Sequence, residues 1–270
     1  MGTTPARKRI RWLAMTSPAL VDAAALTAQL TGPGRLLSTI EAVATTASTN
    51  ADLAAAARRG AASGTVLIAD HQSAGRGRFA RRWEAPPGES VAISILLRPD
   101  GVPPERWLWL PLITGIAVAD GLTAAGVRPQ VKWPNDVLIE GRKLCGILSE
   151  RVDDAAVIGI GINTTLTAEH LPVPSATSLL LEGCDATPTR VVAEVLAAFE
   201  PAYRRWASGA DLRHWYGERC ATVGRAVRVL ESATRSIEGT AVGVDALGRL
   251  LVGTPVGQRA FAAGDVLHLR

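Results

Sequence analysis

Cysteine is scarce in this sequence, and its three copies, Cys145, Cys184 and Cys220, form no C-x-x-C pair. An odd number of cysteines without that spacing argues against a disulfide framework and a thiolate zinc site, and it favours a reducing cytoplasm. Long apolar runs are missing too, so we expect neither a membrane span nor a secretory signal after the basic start. With 47% hydrophobic residues in a chain of 270, the composition predicts a globular protein.

Lysine and asparagine are also rare. The 29 basic residues include three lysines, which leaves 26 arginines, and asparagine occurs three times. These six positions are Lys8, Lys132, Lys143, Asn50, Asn135 and Asn163. All except Lys8 fall in short motifs described below, which indicates sites where arginine or aspartate would not serve. Clustering by chance is the alternative explanation.

Apolar periodicity predicts an α+β fold in which helices cover a mostly antiparallel or mixed sheet. The predicted strands lie at 35–44, 65–71, 90–99, 129–133, 136–141, 143–152 and 155–163. The predicted helices lie at 17–30, 48–60, 103–126, 187–209 and 210–221. Ser17 is the expected cap of the first helix, and Thr49 or Asn50 that of the second.

The pattern changes near residue 222, where four or five short strands are separated by turns such as DALG. This predicts a small C-terminal β-barrel. We therefore expect an N-terminal arm and helix at 1–35, a main domain at 36–221 and the barrel at 222–270. The arm is basic and is predicted to be disordered, with Met15 as an alternative start.

Residues 72–89 form a long predicted loop that contains GRGRFARRW at 75–83. Arginine forks pair with phosphate or carboxylate oxygens, and glycines let backbone N–H groups approach a ligand. Trp83 offers a flat face for stacking a ring such as adenine. The loop predicts a nucleotide site that is mobile without ligand and ordered with it. A solvated basic loop or an RNA-binding patch is the alternative, and neither a Walker loop nor a dinucleotide fingerprint is present.

Five motifs occur in order, and together the sequence resembles the biotin–protein ligase family. They are STN (48–50), GRGRFARRW (75–83), KWPND (132–136), KLCGIL (143–148) and GIGIN (159–163). The resemblance covers residues 36–270 and implies a class II synthetase-like catalytic domain at 36–221, which binds biotin and ATP, followed by the terminal barrel. Only about 47 residues precede STN, too few for the DNA-binding domain of the bifunctional members, so it implies the monofunctional form. The family usually has glycine in the centre of the arginine loop, where this chain has Phe79 and Ala80.

The resemblance implies an ATP-dependent ligase that forms biotinyl-5′-AMP and transfers biotin to a lysine of a carrier domain. The expected partner is the biotin carboxyl carrier domain of acyl-CoA carboxylases. Neither step requires a nucleophilic side chain, so positioned cations and donors are expected to supply the acceleration. Mg²⁺ is expected on the ATP oxygens, with no protein metal ligand.

The resemblance also implies roles for individual residues. The expected catalytic residues are Lys143, Arg78, Lys132 and Asp136. The expected biotin-binding residues are Ser48, Thr49, Asn50, Gln72, Gly75, Arg76, Gly77, Arg78, Lys143, Gly159 and Gly161. The expected ATP-binding residues are Arg76, Arg78, Arg81, Trp83, Lys132, Asn135, Lys143 and Asn163.

Each local pattern has an ordinary structural explanation as well. Lys143 follows a turn, and an ordinary turn lysine is the less favoured explanation of it. An Asx turn is likewise the less favoured explanation of Asp136. The STN motif is explained by helix capping, and Gly159 and Gly161 by β-bulges. The four histidines form no visible cluster, and we interpret each as structural.

Two other functions fit parts of the sequence. Lipoate–protein ligases share the expected fold, but the arginine loop favours biotin. A basic nucleic-acid-binding regulator is a second alternative, although a net charge of +4 is modest and aromatic residues make up only 4% of the chain. We expect no DNA partner, no membrane partner, and a monomer or weak homodimer in the cytoplasm.

Overall fold

The structure is a computed structural model that describes residues 20–232 and 234–269. The expected arm and the expected cap Ser17 lie outside the described residues. The first described helix, α1 (Ala23–Leu30), begins after Asp22, whose carboxylate accepts hydrogen bonds from the N–H groups of Ala24 and Ala25. Such a contact satisfies donors that the first helical turn leaves open.

The centre of the molecule is a seven-stranded mixed sheet. Its strands are β1 (Thr39–Thr46), β2 (Thr65–Gln72), β3 (Ser90–Leu97), β4 (Gln130–Lys132), β5 (Asp136–Ile139), β6 (Arg142–Val152) and β7 (Ala155–Asn163). The order is β1-β2-β3-β7-β6-β5-β4. Only the β1–β2 pair is parallel among the ladders described, which confirms the predicted mixed sheet. Every residue of β3 is buried, as expected for a strand covered on both faces.

Helices cover both faces of this sheet. On one face α2 (Thr49–Arg58) buries Leu53 against Leu67 and Val157. On the other, α3 (Leu110–Ala124) and α4 (Pro188–Ala207) pack together over alternate residues such as Ile93 and Ile158, and the short α5 (Arg213–Gly217) follows. Full burial of one such side chain stabilises the fold by about 1.5–3 kcal/mol.

The helical segment Pro104–Ala124 is long and apolar enough to cross a membrane by length and composition alone. However, 67% of its apolar stretch is buried inside the fold. The apolarity of this segment is therefore explained by its place as a core helix, since a helix that is apolar on all sides must be covered on all sides.

The C-terminal part forms a separate antiparallel sheet. Its strands are β8 (Ala226–Leu230), β9 (Ser236–Val244), β10 (Leu250–Thr254), β11 (Gly257–Phe261) and β12 (Asp265–His268), in the order β11-β10-β9-β8-β12. The predicted small β unit is present. Within the described residues, the outer strands β11 and β12 form no ladder with each other, so the strands do not close fully into a barrel.

Two indole N–H groups of the main part of the chain form hydrogen bonds with the terminal sheet. Trp109 donates to the carbonyl of Ala246 and Trp133 to that of Gly248, at 2.9 and 3.1 Å. Both acceptors lie in the β9–β10 turn. This contact fixes the position of the terminal sheet, and it brings the start of β12 beside the arginine loop.

Candidate active site

A cavity of about 140 Å³ opens between the N-terminus of α2, the strands β6 and β7, and the arginine loop. Most of the residues predicted to form a site line it. They are Ser48, Thr49, Asn50, Gln72, Arg76, Gly77, Arg78, Arg81, Trp83, Asn135, Asp136, Lys143, Gly159 and Gly161. The structure therefore brings together segments separated by more than a hundred positions in the sequence.

Three predicted residues do not line the cavity. Gly75 is the first residue of the arginine loop, and a Cβ on it would stand 2.4 Å from the carbonyl oxygen of Trp83. Lys132 lies behind Asp136, its partner in the β4–β5 ladder. Asn163 is buried, and it donates a hydrogen bond to the Thr177 carbonyl at 2.8 Å. Contact of these residues with a ligand stays a prediction.

One side of the cavity is lined by neutral polar residues, Ser48, Thr49, Asn50 and Gln72, and the buried Ser94 lies beneath them. We call these five residues the polar floor. The Oε1 atom of Gln72 accepts from the N–H of Thr49 at 2.8 Å and from its hydroxyl at 3.1 Å. The Ser94 hydroxyl lies 2.7 Å from the hydroxyl of Thr49 and 2.6 Å from Oδ1 of Asn50. Most of these groups are buried, so their hydrogen bonds fix the floor before any ligand arrives.

The cap of α2 differs from the prediction. The side chain of Ser48, and not that of Thr49 or Asn50, accepts the hydrogen bond from the N–H of Ala51. Because Ser48 performs the capping, the side chains of Thr49 and Asn50 are available to the floor network. Capping and site formation therefore coexist in this motif and are divided among neighbouring residues.

Glycines let side chains lie directly on the sheet. A Cβ on Gly159 would stand 2.4 Å from Oδ1 of Asn50, and one on Gly161 would stand 2.5 Å from the Trp83 indole. Gly146, paired with Gly161 in the β6–β7 ladder, also faces this ring. One indole face therefore rests on backbone. Trp83 Nε1 is buried and makes no hydrogen bond among the described residues.

The opposite side of the cavity carries positive charge, and we call it the cationic wall: Arg76, Arg78, Arg81 and Lys143. The Nζ of Lys143 lies 2.6 Å from Asp136 Oδ1. Arg81 forms an ion pair with Asp265. Arg78 donates to Oδ1 of Asn135 at 3.1 Å and to the carbonyl of Gly264 at 3.3 Å.

Burial changes the pKa values of two cations in and beside the wall. Desolvation lowers the pKa of Arg78 and of Lys132, although the Asp136 carboxylate acts in the opposite direction on both. A buried cation with a lowered pKa is stabilised by an added anion. The wall is therefore arranged to receive a ligand that carries negative charge.

The main chain of Lys143 is held on both sides. Its N–H donates to the Ser175 carbonyl at 2.7 Å, and its carbonyl accepts from the N–H of Thr177 at 2.8 Å. The N–H of Leu179 donates to the carbonyl of Asn163 at 3.1 Å, which holds the same segment against the end of β7. These bonds fix where the lysine side chain begins.

The arginine loop folds back on itself. The N–H of Gly77 donates to Arg81 at 2.7 Å, and that of Trp83 donates to Gly75 at 3.0 Å. Between them Phe79 and Ala80 adopt positive φ angles of 56° and 58°. This left-handed region favours glycine, which explains physically why a glycine suits the centre of this loop and why Ala80 is strained there.

Comparison with known proteins agrees with this geometry. Residues 43–163 match the biotin/lipoate A/B protein ligase family, and residues 222–269 match the biotin protein ligase C-terminal domain. The chain is 39% identical to the biotin–[acetyl-CoA-carboxylase] ligase of Mycobacterium tuberculosis, over 93% of this chain and 96% of that protein. The chain belongs to the biotin protein ligase family. The resemblance inferred from the five motifs is thereby confirmed.

Two further relatives support the assignment to the biotin protein ligase family. The biotin–[acetyl-CoA-carboxylase] ligase of Paracoccus denitrificans is 32% identical, over 83% of this chain and 98% of that protein. The structure of the Aquifex aeolicus biotin protein ligase in complex with biotin and ATP superposes with a TM-score of 0.74 at 27% identity, covering 86% of this chain and 98% of that one. The α+β fold is that of biotin protein ligases.

Three residues of this ligase site were not found from the sequence. Ser94 interrupts the apolar pattern of β3, and this polar position in a buried strand was the available signal. Glu150 contacts both Asn50 and Arg76, and Asp265 contacts Arg81. No local pattern distinguishes these two carboxylates, because their partners lie 74 to 184 positions away.

The donor set does not form a cage for a metal ion. Within residues 20–232 and 234–269, no three His, Cys, Asp or Glu side chains come together in a way that could hold one. The cavity presents chiefly cations, so a divalent ion would enter as the companion of phosphate oxygens. A Mg²⁺ ion brought by ATP would be held by phosphate oxygens and water and not by these side chains.

Proposed function

We propose that this chain is an ATP-dependent ligase that activates biotin as biotinyl-5′-AMP and transfers it to a specific lysine of a biotin carboxyl carrier domain of an acyl-CoA carboxylase. One observation carries the proposal. A single cavity joins a neutral hydrogen-bonding floor to a cationic wall, and biotinyl-5′-AMP has a neutral ring system at one end and a phosphate near its middle. Membership of the biotin protein ligase family supports the same conclusion.

The polar floor suits the ureido ring of biotin. That ring has two N–H donors and one carbonyl acceptor, and the floor offers hydroxyl and amide groups of both kinds. Their mutual hydrogen bonds orient them in advance, so little entropy is lost when the ring binds. The carboxylate of biotin then extends towards Lys143.

Activation takes place at the cationic wall. The biotin carboxylate attacks the α-phosphorus of ATP, forming the acyl phosphate bond as the bond to pyrophosphate breaks. Lys143 and Arg78 stabilise the negative charge that spreads over the phosphate oxygens, and no side chain forms a covalent bond. Mg²⁺ bound to ATP would screen the charge of its phosphates.

Asp136 has two successive roles in this proposal. Without ligand it neutralises Lys143 through their ion pair of 2.6 Å. When the acyl phosphate occupies the wall, Lys143 turns to the phosphate and the carboxylate is released. Asp136 then receives the ammonium of the incoming carrier lysine, accepts its proton and leaves a free amine to attack the acyl carbon, with AMP departing.

A second recess of about 140 Å³ adjoins Arg78 and Asn135. Its apolar lining includes Leu108, Trp133 and Pro134. We assign it to the adenine, because an apolar slot beside a cationic phosphate site matches a base attached to its phosphate. Trp83 was expected to stack on adenine. Because its indole rests on Gly161, we propose that it lies beside the acyl chain of the adenylate instead.

The deciding experiment is mass spectrometry of the protein after incubation with biotin, ATP and Mg²⁺, with pyrophosphate release measured in parallel. We expect bound biotinyl-AMP, and biotinylation of an added carrier domain. Lipoate in place of biotin should give neither. Preferential use of lipoate would overturn the substrate assignment. Salt-dependent binding of RNA or DNA that biotin does not affect would instead support a nucleic-acid-binding regulator.

The remaining parts of the proposal concern organisation. We propose that residues 36–221 form the catalytic domain and residues 222–270 a terminal domain that helps to close the nucleotide site. Arg81 and Asp265 support this, because they join the arginine loop to β12. We further propose a cytoplasmic monomer or weak homodimer that does not bind DNA.

A further inference from the structure

Glu150 lies on β6 just outside the cavity and contacts two residues that line it. Its Oε2 accepts a hydrogen bond from Nδ2 of Asn50 at 2.7 Å. Its Oε1 lies 3.2 Å from an Nη atom of Arg76, in an ion pair. One carboxylate therefore joins the polar floor to the cationic wall, although it does not touch the cavity itself.

The contact with Asn50 sets the orientation of a buried amide. Nδ2 of Asn50 also donates to the carbonyl of Leu148 at 3.2 Å, while Oδ1 lies 2.6 Å from the hydroxyl of Ser94. An amide in which both ends are engaged cannot turn over without losing these bonds. Glu150 thus helps to hold Oδ1 towards Ser94, which is the arrangement on which the floor depends.

The contact with Arg76 fixes a residue of a different element. Arg76 lies in the first half of the arginine loop, and Glu150 is the carboxylate paired with it among the described residues. The ion pair holds this end of the loop against β6. A neutral amide at position 150 can accept from Asn50 but offers no charge to the guanidinium, so the double contact requires a carboxylate.

We propose that Glu150 is a positioning residue that couples closure of the arginine loop to the orientation of Asn50 beneath the biotin ring. This rests on the proposed function. The residue acts through its two partners and takes no part in the chemical step. Its removal should therefore raise KM for biotin and speed the release of the adenylate, with kcat for pyrophosphate formation nearly unchanged.

The side chain of Glu150 is 29% exposed and that of Arg76 is 51% exposed, so solvent screens their ion pair and its contribution to biotin binding is small. For Glu150→Gln, which keeps an acceptor for Asn50, we expect KM for biotin to rise about threefold, as for a screened ion pair. For Glu150→Ala, which loses both contacts, we expect about tenfold. Added salt should reduce the first effect and leave most of the second.

The matched control is Glu238→Gln. Glu238 forms an ion pair with Arg228 in the terminal sheet, and the two side chains are 55% and 43% exposed. This substitution removes the same chemical group from β9, a strand from which no residue lines the cavity. It should leave KM for biotin and the adenylate release rate at wild-type values, and thermal unfolding of all the variants should be followed to confirm that each is folded.

A double-mutant cycle with Arg76→Ala gives the decisive test. If Glu150 acts through Arg76, Glu150→Gln should have no further effect in that background, whereas Glu150→Ala should still act through Asn50. Multiplicative effects of Arg76→Ala and Glu150→Gln, or an unchanged KM in Glu150→Gln at low salt, would overturn the proposal. Failure of the wild type to form biotinyl-AMP would instead refute the proposed function. If Glu150→Ala fails to fold, Glu150→Gln alone and in the Arg76→Ala background still tests the proposal.

Discussion

The two sides of the cavity are built differently. The polar floor comes from α2 and the strands β2 and β3, is largely buried, and has its hydrogen bonds made within the protein. The cationic wall comes mainly from a loop, is partly exposed, and pairs its charges with Asp136, Glu150 and Asp265. The floor is a rigid surface, whereas the wall is a set of cations that are paired with protein carboxylates when no ligand is bound.

The difference follows from the ligands each side is proposed to hold. A neutral ring can be recognised by groups that satisfy one another in its absence, because exchange of neutral hydrogen bonds costs little. Clustered cations repel one another until an anion arrives. The three carboxylates reduce that repulsion. Asp136 must release Lys143 when the phosphate binds, whereas Glu150 and Asp265 keep Arg76 and Arg81 in place. The predictions below separate the two sides.

The largest effect is expected at the wall. Lys143→Met should reduce the rate of pyrophosphate formation about 10³-fold, as removal of a preorganised transition-state contact does. Biotin affinity should stay within about threefold, because the floor is untouched. Stopped-flow measurement of pyrophosphate and calorimetry with biotin give the two values.

A conservative control accompanies this variant. Lys143→Arg keeps the charge but changes its shape, and an intermediate rate is expected. If Lys143→Met lost biotin affinity and rate by the same factor, the floor and the wall could not be separate functional units.

The second effect concerns the loop end of the wall. Arg78→Ala removes the contacts with Asn135 and Gly264, together with a cation beside the proposed phosphate position. We expect release of biotinyl-AMP to accelerate about 10²-fold, from loss of a charge-assisted contact. Filter binding of radiolabelled adenylate measures this rate. Arg228→Ala, which breaks an ion pair of the terminal sheet, is the control; an equal effect there would contradict the assigned role.

The third effect tests the floor. Ser94→Ala leaves Oδ1 of buried Asn50 without its donor, and we expect KM for biotin to rise about tenfold, from an unsatisfied buried acceptor. KM for ATP should not change. The control is Thr114→Val, which removes a buried hydroxyl that bonds within α3. A comparable rise in KM for both substrates would show that Ser94 acts through general stability.

The sequence predicted the fold to the extent that local patterns determine it. Alternating and continuous apolar runs located all seven strands of the central sheet, and the mixed sheet followed from the hairpins. Helix caps were less certain, since the motif STN offers three consecutive polar side chains and only packing decides which one caps. The open arrangement of the terminal strands also depends on contacts between distant strands.

The site was predicted as far as motifs extend. Most of the residues predicted from STN, the arginine loop and KWPND line one cavity, whereas Gly75 and Lys132 do not. Carboxylates that pair with the motif arginines were missed, because an isolated Glu150 or Asp265 carries no local signal. Trp83 was assigned to adenine from its chemistry alone, and its place on Gly161 depends on a strand 78 positions away.

The fourth prediction uses the strained centre of the loop. Ala80→Gly removes the cost of about 1 kcal/mol that a left-handed conformation imposes on an L-residue. We expect release of the adenylate to slow by up to about fivefold, the equivalent of that energy. Asp153→Gly is the matched control, since Asp153 has φ of 54° in the β6–β7 turn. The Asp153→Gly control should become more stable without any change in the rate of adenylate release. Faster release from Ala80→Gly would contradict the prediction, because the added flexibility of the loop would then have a larger effect than the removal of strain.

The smallest expected effect is on stability at low pH, and it concerns His268, which lies near Lys132. Burial, with help from the cations Lys132 and Arg225, lowers the pKa of His268 to about 4, and its Nε2 is 3.0 Å from the hydroxyl of Thr222. Because the folded pKa lies below the unfolded value of 6.5, the unfolded state binds the proton more readily. The contribution of His268 to the free energy of unfolding is therefore complete above pH 6.5 and falls as the pH decreases towards 4.

This loss should be about 1 kcal/mol after allowance for solvent screening, since the imidazole is only half-buried. Urea unfolding of the wild type and of His268→Gln at pH 7.5 and pH 4.5 measures it as the difference between their pH dependences. His214→Gln, in an exposed ion pair with Glu218, is the control and should follow the wild type. If His268→Gln lost as much unfolding free energy as the wild type between pH 7.5 and pH 4.5, protonation of His268 would not destabilise the fold. The repulsion that we ascribe to clustered cations would then be negligible at this position.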